Sequence, residues 1–161
     1  MSGEKRARKL LTPRFILEAL AVFVIGSLLG VGTFTVVYAK GWSYLGNDPQ
    51  TCMNCHVMEP YYKAWSAGSH AGQAGCNDCH APHDNIVSKY YVKAENGFWH
   101  SFKFTTGWYP DNIEIRDSNR QVTNEACLYC HSDLTSDMHI TAGDEQIQCM
   151  DCHTNVGHKV R

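Results

Sequence analysis

The sequence predicts a mainly α-helical, loop-rich protein: a single N-terminal transmembrane helix followed by one compact domain with almost no sheet. Two observations carry that expectation. Near the N-terminus an apolar run continues for twenty residues, and in the remainder one cysteine pattern recurs four times. At 161 residues the chain is long enough for one modest domain and not for two.

In chain order, the run from Ala19 to Tyr38, "ALAVFVIGSLLGVGTFTVVY", holds twenty consecutive uncharged, mostly apolar residues. That matches the ~20 residues a helix needs to cross a bilayer. Lys5, Arg6, Arg8, Lys9 and Arg14 precede it, with Glu4 as the early acid. The positive-inside bias therefore assigns residues 1–14 to the cytoplasm as a basic N-terminus, 15–39 to the anchor and 40–161 to the outer side. A cleaved signal peptide is the competing reading. Its apolar region runs only ~7–15 residues and ends at a small-x-small cleavage site. "VVYAKGW" offers no such site, so an uncleaved, single-pass anchor is expected. Gly26 and Gly30 form a G-x-x-x-G that can pack a helix from a second copy, although in a glycine-rich span the pattern is weak.

The eight cysteines fall into four C-x-x-C-H motifs: Cys52/Cys55/His56, Cys76/Cys79/His80, Cys127/Cys130/His131 and Cys149/Cys152/His153. This is the c-type haem signature. Two thiols add across the two porphyrin vinyl groups, and the adjacent histidine reaches the iron from the same side. On spacing alone, Cys127-x2-Cys130 and Cys149-x2-Cys152 would also suit a zinc ribbon. Zinc has no need of a histidine directly after every second cysteine, and thioredoxin-like motifs fail for the same reason. The expectation is a multihaem cytochrome c with four covalently bound haems and no cysteine left for a disulfide. Bacteria attach such haems outside the cytoplasmic membrane, which agrees with a periplasmic domain anchored in the inner membrane. Residues 40–161 carry nine Lys and Arg against fourteen Asp and Glu, a net charge of −5. Nothing in that balance suggests nucleic acid; the expected partners are the membrane and other redox proteins.

The exposed domain has 122 residues, roughly thirty per haem, too few for an ordinary core. The porphyrins are therefore expected to form the core, with helices and loops around them. The motifs come as two pairs, Cys52 with Cys76 and Cys127 with Cys149, each with a histidine between its members (His70, His139) and another after the second (His83, His158). This resembles a diverged internal duplication. Between the pairs lies "APHDNIVSKYYVKAENGFWHSFKFTTGWYP". After caps at Asp84 or Asn85, Val87, Tyr91, Ala94 and Phe98 recur at helical spacing, while Lys89, Lys93, Asn96 and His100 share a different, polar face. Phe98, Trp99, Phe102, Phe104, Trp108 and Tyr109 cluster around its end, suited either to a membrane–water interface or to packing on haem.

Four haems present eight axial positions, of which the motif histidines can fill four. His70, His83, His100, His139 and His158 remain. His70 and His158 are the best candidates for distal ligands and His139 a further one; His83, three residues past His80, better suits a neighbouring haem or a propionate. The first motif adds Met58, two residues past His56 and so on the same face of its haem. Met58 can compete with His56 for the proximal position and leave the far face open, or it can pack on the porphyrin edge. Cys52 follows Ala39 by thirteen residues, so the first haem is expected near the bilayer surface, at the depth of quinol head groups.

Taken together, the N-terminal anchor, "CMNCHVM", "GSHAGQAGCNDCHAPH", "KAENGFWH", "ACLYCH" and "CMDCHTNVGH" resemble the NapC/NirT family of membrane-anchored multihaem quinol dehydrogenases over the whole chain. Within it, the chain is most similar to the small tetrahaem subunits of cytochrome c nitrite reductases. The resemblance implies that Met58 rather than His56 ligates the first haem, that its other face is open to quinol, and that His70 and His158 are distal ligands of other haems. It also implies that Lys93 lies in the quinol pocket and that a partner's lysine completes one remaining haem. Where family members carry an acidic residue seven positions after that lysine, this chain has His100, which could accept a quinol proton or bind the iron and close the site. The implied activity is menaquinol oxidation, with electrons passed to a multihaem periplasmic nitrite reductase that forms ammonium. The alternatives are the same role for another reductase, such as one for nitrate or hydroxylamine, or a passive membrane-tethered electron wire.

Overall fold

The computed structural model describes residues 12–136, 141–142, 145–146 and 148–158. The chain divides into two compact units between Trp42 and Ser43.

The first unit is built on α1, Pro13–Tyr38. Its start is fixed by Thr12, whose hydroxyl oxygen accepts the Phe15 N–H at 3.4 Å, and by Pro13 in the first turn, where a missing N–H costs nothing. Arg14 donates to Glu18 one turn later at 3.0 Å, so this flank carries a second acid beside Glu4. With 26 residues α1 extends about 39 Å, enough to span a hydrocarbon core of ~30 Å. None of its side chains is buried against protein.

The second unit opens with short 3₁₀ turns at Gly41–Leu45, Pro49–Asn54 and His56–Met58. Then come α2 (Glu59–Ser66), α3 (Cys76–His80), the long α4 (Ile86–Thr106), α5 (Asp117–Cys130), α6 (Ser132–Thr135), a two-residue hairpin of β1 (Thr141–Ala142) on β2 (Glu145–Gln146), and α7 (Cys149–Cys152). The architecture is mainly helical, as expected, with that hairpin as its sheet among the described residues. Of the two caps expected for the long helix, Asn85 holds the position: its side-chain oxygen accepts the Ser88 N–H at 2.8 Å. Asp84 binds the Ser88 hydroxyl instead. Gly107 ends α4 with φ of +66°, a left-handed conformation that glycine adopts without strain.

The helices pack in a short chain of contacts, α3 on α5 and α5 on α7, with α2 on the 3₁₀ turn before it. Among the described residues, the buried apolar side chains are Ala81, Val92 and Ala126, all small. Polar groups fill the rest of the α5 seam: Asn119, Thr123 and Asn124 are buried as well. Asn124, only 1% exposed, accepts the Cys149 N–H at 2.8 Å and so ties α5 to the start of α7. The Arg120–Asp151 ion pair spans the same seam. Three small apolar residues are no core for this length of chain, in keeping with the expectation that porphyrins supply one.

Asn124→Ala removes the acceptor for a buried backbone N–H, which costs about 1–3 kcal/mol. The expected outcome is a lower denaturation midpoint for the haem-loaded protein, followed by circular dichroism; an unchanged midpoint would show that the contact carries no weight.

Candidate functional site

Each cysteine pair lies on or at the end of a helical turn. Cys52 belongs to the 3₁₀ turn that Cys55 terminates; Cys76 and Cys79 lie in α3; Cys127 and Cys130 form the end of α5; Cys149 and Cys152 bound α7. Residues three apart on a helix share a face, so each pair presents both thiols to one side. The pairs are also neighbours in space in chain order. Cys52 and Cys76 lie near enough to perturb each other's thiols, as do Cys79 with Cys127 and Cys130, and Cys127 with Cys149. The attachment points thus form a series from the first motif to the fourth.

Two motif histidines face a second imidazole. The rings of His70 and His131 have centroids 6.2 Å apart and planes at 90°. Those of His80 and His158 are 6.0 Å apart with planes at 15°. Two imidazoles binding one metal from opposite sides at ~2 Å each have centroids about 6 Å apart, so both pairs have the spacing of an axial ligand set. His70 is also oriented as a ligand should be. Its Nδ1 donates to the Val156 carbonyl at 3.0 Å, which leaves Nε2 free, the arrangement by which a backbone carbonyl fixes the tautomer of a metal-binding histidine. Burial lowers the His80 imidazole to about 4, with His158 and His100 adding, and burial also lowers His158; both rings are therefore held neutral, the form that binds metal. Two buried polar atoms beside haem-binding cysteines, Asn124 Nδ2 and Gln148 Oε1, have no protein partner. Paired thiols, paired neutral imidazoles and polar atoms in reserve fit a c-type haem.

The remaining histidines differ. His153 is exposed, with no ring against it among the described residues. His83 donates through Nε2 to the Asp78 carbonyl at 2.7 Å and stacks on Tyr129 at 4.5 Å, contacts that hold the α3 exit against α5. His139 lies outside the described residues.

At the first motif, His56 is exposed and adds to the lowering of the Glu59 carboxyl, whose first cause is the Lys63 hydrogen bond. Met58 is half-buried. Lys93 reaches from α4 to the loop before this motif and donates to the carbonyls of Gly46 at 2.6 Å and Leu45 at 3.4 Å and to Asn47 Oδ1 at 3.1 Å. Its Nζ lies over the Tyr90 ring and near enough to Cys52 to favour the thiolate. Burial, then Lys89, lowers the Lys93 ammonium below its usual range. His100, seven residues on, is exposed and near enough to His80 of the second motif to add to the lowering of its imidazole. Desolvation, then Arg116 and Lys103, lowers its imidazole too. The structure thus brings Lys93 to the first motif, with His100 on the same helix face about 10 Å further along.

Sequence reasoning missed the Val156 carbonyl, the Tyr61 edge against His158 (5.2 Å) and the Asn124 bridge. The first is a backbone contact across 86 positions, which leaves no pattern in the sequence. The other two involve residue types that give no metal-site signal.

The NapC/NirT cytochrome c family, N-terminal region, matches residues 13–161. The chain is 38% identical over 157 residues to the cytochrome c-type protein NrfH of Wolinella succinogenes, covering 91% of this chain and 88% of that one. It is 34% identical over 133 residues to the cytochrome c nitrite reductase subunit NrfH of Nitratidesulfovibrio vulgaris, covering 83% and 80%. Among solved structures, it is similar to a chain of the cytochrome c nitrite reductase NrfHA complex bound to the HQNO inhibitor, with a TM-score of 0.61, 31% identity, and coverage of 84% of this chain and 88% of that chain.

Because the His83 ring lies on Tyr129 and not against a motif histidine, His83→Phe keeps that stack and should retain full haem content and an unchanged low-spin absorbance spectrum. Loss of a low-spin band in the pyridine-corrected spectrum would make His83 a ligand after all.

Proposed function

The chain belongs to the NapC/NirT cytochrome c family, and from that premise we propose that this membrane protein oxidises menaquinol with four c-type haems and delivers the electrons to an ammonium-forming nitrite reductase. The observation that carries the reading is Lys93, drawn by three oxygen acceptors to the loop beside Cys52. When bound, the haems supply one-electron carriers; the polypeptide supplies the binding site, the proton acceptor and the axial ligands.

Lys93 holds a quinol oxygen by a charge-assisted hydrogen bond that replaces its long 3.4 Å contact to Leu45, while Gly46 and Asn47 fix its Nζ. His100, neutral at neutral pH because desolvation and two neighbouring cations oppose its charging, accepts the proton released at the other end of the head group. Met58, not His56, is the protein ligand to the first iron: the thioether is the more buried of the two, while His56 sits exposed beside Glu59. His70 with His131 and His80 with His158 complete two further sites. His153 is left to take its second ligand from the partner, the catalytic subunit of the nitrite reductase. The basic N-terminus is cytoplasmic, and residues 40–161 are periplasmic at the inner membrane.

The test is anaerobic mixing of the purified full-length protein with a menaquinol analogue while haem absorbance is followed. Native protein is expected to be reduced rapidly, Met58→Leu slowly or not at all, and Lys93→Ala with an apparent KM raised roughly tenfold or more, the loss of a hydrogen bond to a charged group. Dithionite should reduce all three alike. A native protein that stays oxidised by quinol even with its reductase bound, yet is reduced by dithionite, would leave only a passive wire.

A further inference from the structure

The long helix α4 is amphipathic in the reverse sense for a soluble domain. At 100° per residue its positions fall on two arcs. One arc holds Lys89, Lys93, Asn96, His100 and Lys103, and this arc is turned inward. Lys93 reaches the loop at Leu45–Asn47, Asn96 accepts from Arg116 and Asn119 at 2.8 Å each, and His100 lies by His80. The opposite arc holds Val87, Tyr91, Ala94, Phe98 and Phe102 with no charged residue, and it is turned away from the protein: Val87 is 76% exposed, Tyr91 69%, Phe98 61%. A helix packed on a core shows the opposite order.

The same observation bears on what covers the apolar arc. Haem packing was one expectation for these aromatics, yet the side of α4 that meets the haem-binding motifs is the polar one. A second cover is already present in the molecule, since α1 has the length and composition of a membrane span. The apolar arc continues past the helix end into a contiguous aromatic cluster, with Phe98 on Phe102 at 6.0 Å, Phe102 on Trp108 at 6.5 Å and Phe104 on Tyr109 at 6.5 Å. Trp and Tyr concentrate at the headgroup level of bilayers. Beside that cluster, Trp99, Lys103, Trp108, Tyr109 and Arg116 line a cavity of about 640 Å³.

We propose that the outward face of α4, from Val87 to Trp108, lies in the headgroup region of the bilayer, so that the second unit binds the membrane surface directly as well as through its tether. Helices that lie in the interface plane bury an apolar face of this kind ~5–10 Å deep. This surface does not depend on which quinol is oxidised or on which reductase receives the electrons.

The experiment uses the full haem-loaded chain in its native membrane, with photo-crosslinking p-benzoylphenylalanine placed singly at Tyr91, Phe98, Leu28 or Gln121, and mass spectrometry of the irradiated protein. Leu28, in α1, is the positive control, and Gln121, exposed on the polar side of α5, the negative one. Haem absorbance reports folding of each variant, and Tyr91 and Phe98 serve as independent sites should one fail. The expected result is phospholipid adducts at Tyr91 and Phe98 as at Leu28, with loss of that adduct at Gln121. Adducts at these two positions with another polypeptide, no adduct there while Leu28 is labelled, or equal labelling at Gln121 would overturn the proposal.

Discussion

The second unit depends on imidazoles that meet across an iron-sized gap. His70 faces His131 and His80 faces His158, and each pair joins parts of the chain that share little other packing. With Ala81, Val92 and Ala126 as the buried apolar side chains among the described residues, no ordinary hydrophobic term is large enough to hold these segments together. Covalently attached haem, which the cytochrome c family implies, takes that place. Helices here are short because they serve as mounts: α3 and α7 are little more than the C-x-x-C turns themselves.

A single segment of chain also couples His70 and His158. Val156 fixes the tautomer of His70 through its carbonyl, and two residues later the same segment presents His158 to His80. One stretch of backbone near the C-terminus therefore sets the geometry at two sites. Asn124 does a related task between α5 and α7, where motif three meets motif four. The electron-transfer role follows from the same economy of chain: attachment cysteines of successive motifs are neighbours, so cofactors held on them are brought close in series. What distinguishes the first motif is the environment made by Lys93, Met58 and the loop at Leu45–Asn47.

Much of this was legible in the sequence because it is written in local patterns. The C-x-x-C-H spacing, the uncharged run from Ala19 and the two faces of the segment after Asn85 all depend on residues a few positions apart, and each element formed where its pattern lay. The two-sided reading of the aromatics was not resolvable there, since periodicity separates two faces without saying which one turns inward. The structure orders them through contacts of Lys93, Asn96 and His100. Pairing of particular histidines was equally hidden: His70 meets His131 through three-dimensional closure, and counting residues does not choose between partners. His100, seven residues past Lys93 on the same face of α4, comes near enough to His80 to add to the lowering of its imidazole.

The most direct test of this account is the EPR spectrum of the fully oxidised, haem-loaded chain. Near-parallel imidazoles on an iron give a rhombic low-spin signal, and perpendicular imidazoles give a strongly axial one with a single large g value. Rings at 15° in one pair and 90° in the other predict both signals together, the rhombic one removed by His158→Ala and the axial one by His70→Ala. A spectrum lacking either signal, or one in which these substitutions leave both signals in place, would contradict the pairing on which the fold is built.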